Sequence, residues 1–200
     1  MRINSIAVLV LGLSRSVLAQ DLDAALSKYP EVSTFQGLIS QVPGGVTDLL
    51  PSGLSPNSTE GVTVLIPSND AVKSYLNASS LANITDVPLD KLMNILQYHI
   101  MYAKLTSSNF TAPDGLIVPT LLKDNMFNNR SAGAELNATY GPEAAQGTVL
   151  YISKDPINTA KFRVRQQQSG AALRGGMGQG GTINAVDGSW DLGYIQIIDT

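Results

Sequence analysis

The 200-residue chain contains no cysteine. That excludes disulfides, thiol nucleophiles, thiolate zinc sites and iron–sulfur clusters, so the fold must be held by packing alone. Histidine occurs once, at His99, and a single imidazole without cysteine cannot build a histidine-based zinc site. Charge is sparse: 13 basic and 16 acidic residues give a net of −3. Lys and Arg form no cluster. Nucleic acid is therefore not an expected partner, because phosphate binding needs concentrated positive charge. The longest apolar stretch, Ile6 to Leu13, is too short to span a bilayer as a helix. No second such stretch follows, and the closing Gly193 to Thr200 is too short and too polar for a lipid-anchor tail.

What the first residues do contain is the pattern of an export leader. Arg2 supplies the positive start, Ile6 to Leu13 the apolar core, and Val17-Leu18-Ala19 the small residues at a cleavage site before Gln20. The competing reading is a buried N-terminal helix. Setting residues 1–19 aside takes Arg2 and Arg15 from the 13 basic residues; 11 then stand against 16 acidic ones, a net of −5. Residues 20–200 suffice for one domain with a real core. Six Asn-x-Ser/Thr sequons fall in that stretch, at Asn57, Asn77, Asn83, Asn109, Asn129 and Asn137, none with Pro in the middle. Together with the leader they make a secreted glycoprotein of a eukaryotic, fungal-style pathway the expectation, found outside the cell or in its wall.

Periodicity organises the rest. Asp21 or Asp23 can cap a helix from Leu22 to Lys28, stopped by Pro30. Phe35, Leu38, Ile39 and Val42 share one face of a helix predicted over Glu31 to Val42. Residues 51–60 read as a polar loop. Gly61 to Ile66 is a short β-branched run, the mark of a buried strand, and Pro67 stops its ladder. Ser68 is placed to cap a helix from Asn69 to Leu76. Leu89, Leu92, Met93 and Leu96 form a second helical stripe, predicted over Leu89 to Gln97, and Tyr98 to Tyr102 can turn into a strand. Five short strands are predicted later, near Leu116–Val118, Thr148–Ser153, Lys161–Gln167, Thr182–Val186 and Tyr194–Ile198. Helices first and strands later indicate an α+β arrangement.

Three blocks then carry a resemblance. Thr63-Val64-Leu65-Ile66-Pro67-Ser68-Asn69-Asp70-Ala71-Val72 is similar to the first motif of the fasciclin (FAS1) family. Leu92 to Tyr102 is similar to that family's Leu-rich helix ending in Tyr-His, here Tyr98-His99. Gly193 to Asp199 resembles its closing strand, although Gln196 stands where the family often has His. Asn125 to Gly147 aligns poorly and reads as a variable loop. The resemblance implies a FAS1-like β-sandwich or wedge of antiparallel sheets with several α-helices packed against it. It also implies Pro67, Ser68, Asn69, Tyr98, His99 and Asp199 as fold-motif positions. It implies an adhesive role, with an extracellular protein or cell-wall polysaccharide as partner, weak self-association, and no cofactor or metal.

Three places in the sequence are candidates for chemistry. His99 is the natural general base, but it follows a buried helical stripe and is better explained as a core histidine bonded to backbone or carboxylate. Gly175 to Gly181 can be a phosphate cradle or a flexible hairpin connection; no Lys follows it and the next segment reads as a strand, which favours the hairpin. Asp187 and Asp191 flank Trp190 and offer the alternative of a polysaccharide hydrolase, against solvated acids beside a packed Trp. Trp190 is also a candidate to stack on a sugar ring without chemistry. Exposed strand edges and the Gly-rich loop are the expected contact regions.

Overall fold

A computed structural model describes residues 21–55, 59–123, 134–158, 160–166 and 180–199. The chain enters through α1 (Leu22–Leu26), where Asp21 Oδ1 accepts from the Ala24 N–H at 2.7 Å and caps the helix. The single helix expected over Glu31 to Val42 is instead a 3-10 turn, Pro30–Val32, followed by α2 (Ser33–Ile39). The reason lies elsewhere in the chain. Asn69 takes the Thr34 N–H and donates to the Pro30 carbonyl, so the first turn bonds outward.

Seven strands form one sheet. They are β1 (Val62–Pro67), β2 (Ile100–Met101), β3 (Leu116–Pro119), β4 (Val149–Lys154), β5 (Phe162–Gln166), β6 (Gly181–Trp190) and β7 (Gly193–Asp199), in the spatial order β2-β1-β7-β6-β5-β4-β3. Every neighbouring pair is antiparallel except β1 with β7, which runs parallel from Val62↔Gly193 to Pro67↔Ile198. The two ends of the order then meet. Met101 bridges Thr120, Tyr102 N–H donates to Pro119 O and Leu121 N–H to Ile100 O, both at 2.9 Å. The sheet is therefore nearly closed and barrel-like, where antiparallel sheets in a sandwich or wedge were expected. A strand buried on both faces has the same apolar pattern in either arrangement, so the pattern does not distinguish them. Closure also leaves β2 and β3 without the free edges that were expected to serve as contact regions.

Two cores result from the alternation of side chains along each strand. Leu65, Val118, Leu150, Ile152, Val164 and Ile183 face the barrel interior, where the Phe110 and Phe162 rings meet edge to face at 5.4 Å. Val62, Val64, Ile66, Ile195 and Ile197 face outward, onto Leu26, Phe35, Leu92 and Leu96 of the helices. Those helices are α1, α2, α3 (Asn69–Ser79) and α4 (Leu89–Tyr98). A fifth, α5 (Ala134–Ala144), lies in the stretch read as a variable loop, and Gly141 kinks it at φ +81° ahead of Pro142.

Glycine at 193 is dictated by the parallel pairing. A Cβ there would overlap the Val62 carbonyl oxygen. Gly37, in α2, has nothing within 4 Å of its would-be Cβ. We expect Gly193→Ala to lower stability in urea by more than about 1 kcal/mol and Gly37→Ala to raise it by about 0.5–1 kcal/mol. Equal effects at the two positions would contradict this account of β1 and β7.

Candidate functional site

The fold-motif residues converge at the junction that follows β1. Pro67 closes the strand and Ser68 starts α3: its Oγ accepts from Ala71 N–H at 3.1 Å and donates to Asp199 Oδ1 at 2.9 Å. Ser68 N–H donates to Ile198 O. One serine thus caps a helix and ties it to the last strand. Asn69 reaches the other way, accepting from Thr34 N–H at 2.9 Å and donating to Pro30 O and Ser33 Oγ at 3.2 Å.

His99 closes the same frame from α4. The Ile95 carbonyl lies 2.7 Å from Nδ1 and can only accept, so Nδ1 carries the proton. The ring packs against Phe35 (6.1 Å) and edge-on to Tyr98 (5.7 Å). Burial pushes the imidazole below its ordinary 6.5, against the opposing pull of the Ile95 carbonyl. Burial likewise pushes the Tyr98 hydroxyl up to about 12. Its Nδ1 is committed to the helix's own backbone and its ring to aromatic packing.

Of the acids expected to act as a pair, Asp187 is engaged in internal bonds. Asp187 sits in a bulge of β6, at φ +46°, where the register shifts between Asn184↔Ile197 and Gly188↔Ile195. Gln196, 0% exposed, faces that bulge. Its Oε1 accepts from Val186 and Asp187 N–H at 3.2 and 3.4 Å, and its Nε2 donates to Asp187 Oδ1 at 2.7 Å and Leu105 O at 3.3 Å. Ser107 adds N–H to Oδ1 at 2.7 Å and Oγ to Oδ2 at 2.6 Å. Burial alone would raise the Asp187 pKa; the bonds from Gln196 and Ser107 outweigh it and hold the carboxyl below its usual 3.8. A general acid in a glycosidase needs the opposite shift. Trp190 is 7% exposed and packs in the helix-side core, so it offers no face to a sugar.

Sequence reasoning singled out Gln196 only as a departure from a pattern and did not see its role. Nor did it see the β4–β5 loop. There Asp155 accepts from Ile157 N–H (2.7 Å), Asn158 N–H (3.0 Å) and Arg163 Nε (2.8 Å), which holds its carboxyl at about 2. This clip presents Ile157, 88% exposed. Beside it lies an open groove of about 330 Å³ lined by Ser107, Ser108, Thr111, Lys154, Ala160, Phe162 and Ala185.

Of the sequon asparagines, Asn77, Asn83, Asn109 and Asn137 are exposed, while Asn57 and Asn129 lie outside the described residues. So does the Gly-rich loop before Gly180; Gly181 opens β6. Among the described residues no three His, Cys, Asp or Glu side chains gather as a metal site, and no helix is long and apolar enough to cross a membrane.

The domain is barrel-like and helix-covered, and its motif residues tie strand ends to helix starts. The Fasciclin domain family profile matches residues 30–167. That is well over half of the chain, which belongs to this family. The third sequence block lies beyond the matched residues, yet β7 lies inside the sheet, between β1 and β6. Among solved structures the chain resembles a FAS1 domain pair from the insect cell adhesion molecule fasciclin I. The TM-score is 0.50 at 23% identity, over 84% of this chain and 44% of that one. The likeness is one of fold, and the chain spans less than half the length of that pair. A search of curated proteins finds no match.

Two measurements test the site. His99 is depressed below its unfolded value, so the unfolded chain takes up protons first as pH falls. Stability should be full above about pH 6.5 and decline below it. The depressed Asp155 and Asp187 act in a separate window: their contribution is present above the ordinary 3.8 and is lost as pH falls from there through the lower folded values, about 2 for Asp155. We expect His99→Gln to flatten the urea midpoint between pH 7 and 5 and to leave the acid limb below pH 4 unchanged. An undiminished slope in the variant would assign it to another group. Gln196→Leu strands two bulge amides and the Leu105 carbonyl, and should cost about 2–4 kcal/mol in the same assay. A loss under about 1 kcal/mol would show that the bulge does not need that side chain.

Proposed function

We propose that the chain is a secreted adhesion-type module of the fasciclin family that binds an extracellular protein or a cell-wall polysaccharide without catalysis. In this reading residues 1–19 are the leader and 20–200 one FAS1-like domain. The observation that carries it is the family match over residues 30–167. The structural neighbour, described as a cell adhesion molecule, agrees with it. Local geometry adds support: both oxygens of Asp187 and the ring of His99 are engaged in internal bonds.

Contact is assigned to the face carrying Ile157. The backbone that carries this exposed side chain is held by Asp155, which Arg163 braces, so a partner that buries Ile157 has little main chain to order. The neighbouring groove is lined by Ser108, Thr111 and Lys154 among others.

The test is retention of the immobilised protein on a panel of cell-wall polysaccharides and extracellular proteins. We expect retention on at least one class, and Ile157→Asp should weaken it roughly tenfold or more, the equivalent of burying one large aliphatic side chain. Retention on none overturns the binding role, and self-association alone moves the partner to a second copy. Release of reducing sugar from any polysaccharide overturns the non-catalytic reading.

A further inference from the structure

The four exposed sequon asparagines sit at element ends or on helix surfaces. Asn77 lies in the last turn of α3, Asn137 in α5, Asn83 at the start of a 3-10 turn (Ile84–Asp86), and Asn109 within another (Ser107–Thr111). Asn83 and Asn109 both work locally. Asn83 forms a capping box, its side chain accepting from the N3 backbone while Asp86 Oδ2 accepts from Asn83 N–H at 2.9 Å. Asn109 Oδ1 accepts from Thr106 N–H at 2.8 Å and Thr106 Oγ1 at 3.1 Å.

In each case the amide oxygen is the engaged atom. The nitrogen of a planar amide lies on the other side, so Nδ2 is turned away from the turn that the oxygen holds, and in both residues it makes no hydrogen bond among the described residues. An N-cap accounts for Asn83, and at Asn109, the third residue of a capping box begun by Thr106, a side chain with an acceptor oxygen is what the turn needs. Neither role accounts for Thr85, exposed two residues after Asn83; Thr111, exposed in the same relation to Asn109, also donates to Ser108 O at 2.7 Å. Ser79 and Thr139 stand in the same relation to Asn77 and Asn137.

We propose that Asn83 and Asn109 are N-glycosylation sites at which one amide carries the glycan on nitrogen and keeps the cap on oxygen. The donor is a lipid-diphosphate-linked oligosaccharide. Nδ2 attacks the anomeric carbon, the new N–C bond replaces the C–O bond to the diphosphate, Nδ2 gives up one proton, and the lipid diphosphate leaves. The product is still an amide, with its carbonyl oxygen free to accept. The glycan on Asn109 then stands beside the groove that Ser108 and Thr111 help to line. The inference rests on the secreted reading, because the donor is met only inside the secretory pathway.

The full chain, translated with endoplasmic-reticulum microsomes, separates the two. Protection from added protease reports import. Mobility before and after an endoglycosidase, with peptide mass spectrometry, reports which asparagines are modified. We expect a protected chain modified at both positions. Thr85→Ala and Thr111→Ala keep the capping asparagines and should each remove one glycan step, whereas Thr85→Ser and Thr111→Ser should keep it. A protected chain with Asn83 and Asn109 unmodified overturns this inference and leaves export standing. An unprotected chain overturns export and this inference with it.

Discussion

The parallel contact between β1 and β7 joins residues more than a hundred positions apart in sequence, Thr63 against Tyr194 and Ile66 against Ile197. Both strands are covered on two sides, by the barrel interior and by the helices. Their outward residues, Val62, Val64, Ile66, Ile195 and Ile197, form the floor on which α1, α2 and α4 rest. Loop closure over so long a stretch is costly before any contact rewards it. The Ser68–Asp199 bond and the Ser68 N–H to Ile198 O bond sit at the end of that pairing, where they lock the strands in register and begin α3 at once. Asn69 then fixes the N-terminal segment to the same point. Three consecutive residues thereby join the sheet, a helix and the opening of the domain.

The polar side chains in the interior follow one balance. Burial would drive Asp187 toward its neutral form, and Gln196 with Ser107 reverses that by donating to the carboxylate. Gln196 can do so because the bulge leaves two amides without strand partners; its oxygen takes those, and its nitrogen takes Asp187 and Leu105. Each of the four hydrogen-bonding positions of the amide is used. Thr63 completes the set on β1, donating to Ala103 O at 2.7 Å and accepting from Leu105 N–H at 2.8 Å. The segment from Ala103 to Ser107 is thus sewn to both β1 and β6. Asp187 is an anchor for that segment, with both carboxylate oxygens engaged in internal bonds.

Local chemistry was legible and remote pairing was not. The Val62–Ile66 run, the Pro67 stop, the Ser68 cap and the Leu92–Leu96 stripe each depend on neighbours within a few residues, and each appears where periodicity places it. The break at Pro30–Val32 depends on Asn69, which is distant in sequence, so the smooth stripe from Phe35 to Val42 concealed it. The parallel β1–β7 contact leaves no local trace, because two-sided burial reads the same in a sandwich and a barrel. Strand β6 was read as ending at Val186 because Asp187-Gly188 has the composition of a turn; the strand passes through that dipeptide as a bulge and runs on to Trp190. For the site, the helical stripe pointed to the backbone bond that His99 makes, while the importance of Gln196 was hidden: a lone glutamine in an apolar strand announces nothing until its four partners are seen.

The direction of β1 relative to β7 has a mechanical consequence. Strands that run the same way have the start of one beside the start of the other, so a pull exerted on the chain ahead of Val62 and behind Ile198 drags the two past each other lengthwise. All six facing pairs then resist together, instead of opening one after another as the rungs of a hairpin do. Tension between attached surfaces would meet this sliding geometry once the N-terminal helices had peeled away, and the centre of the domain would be its last part to yield.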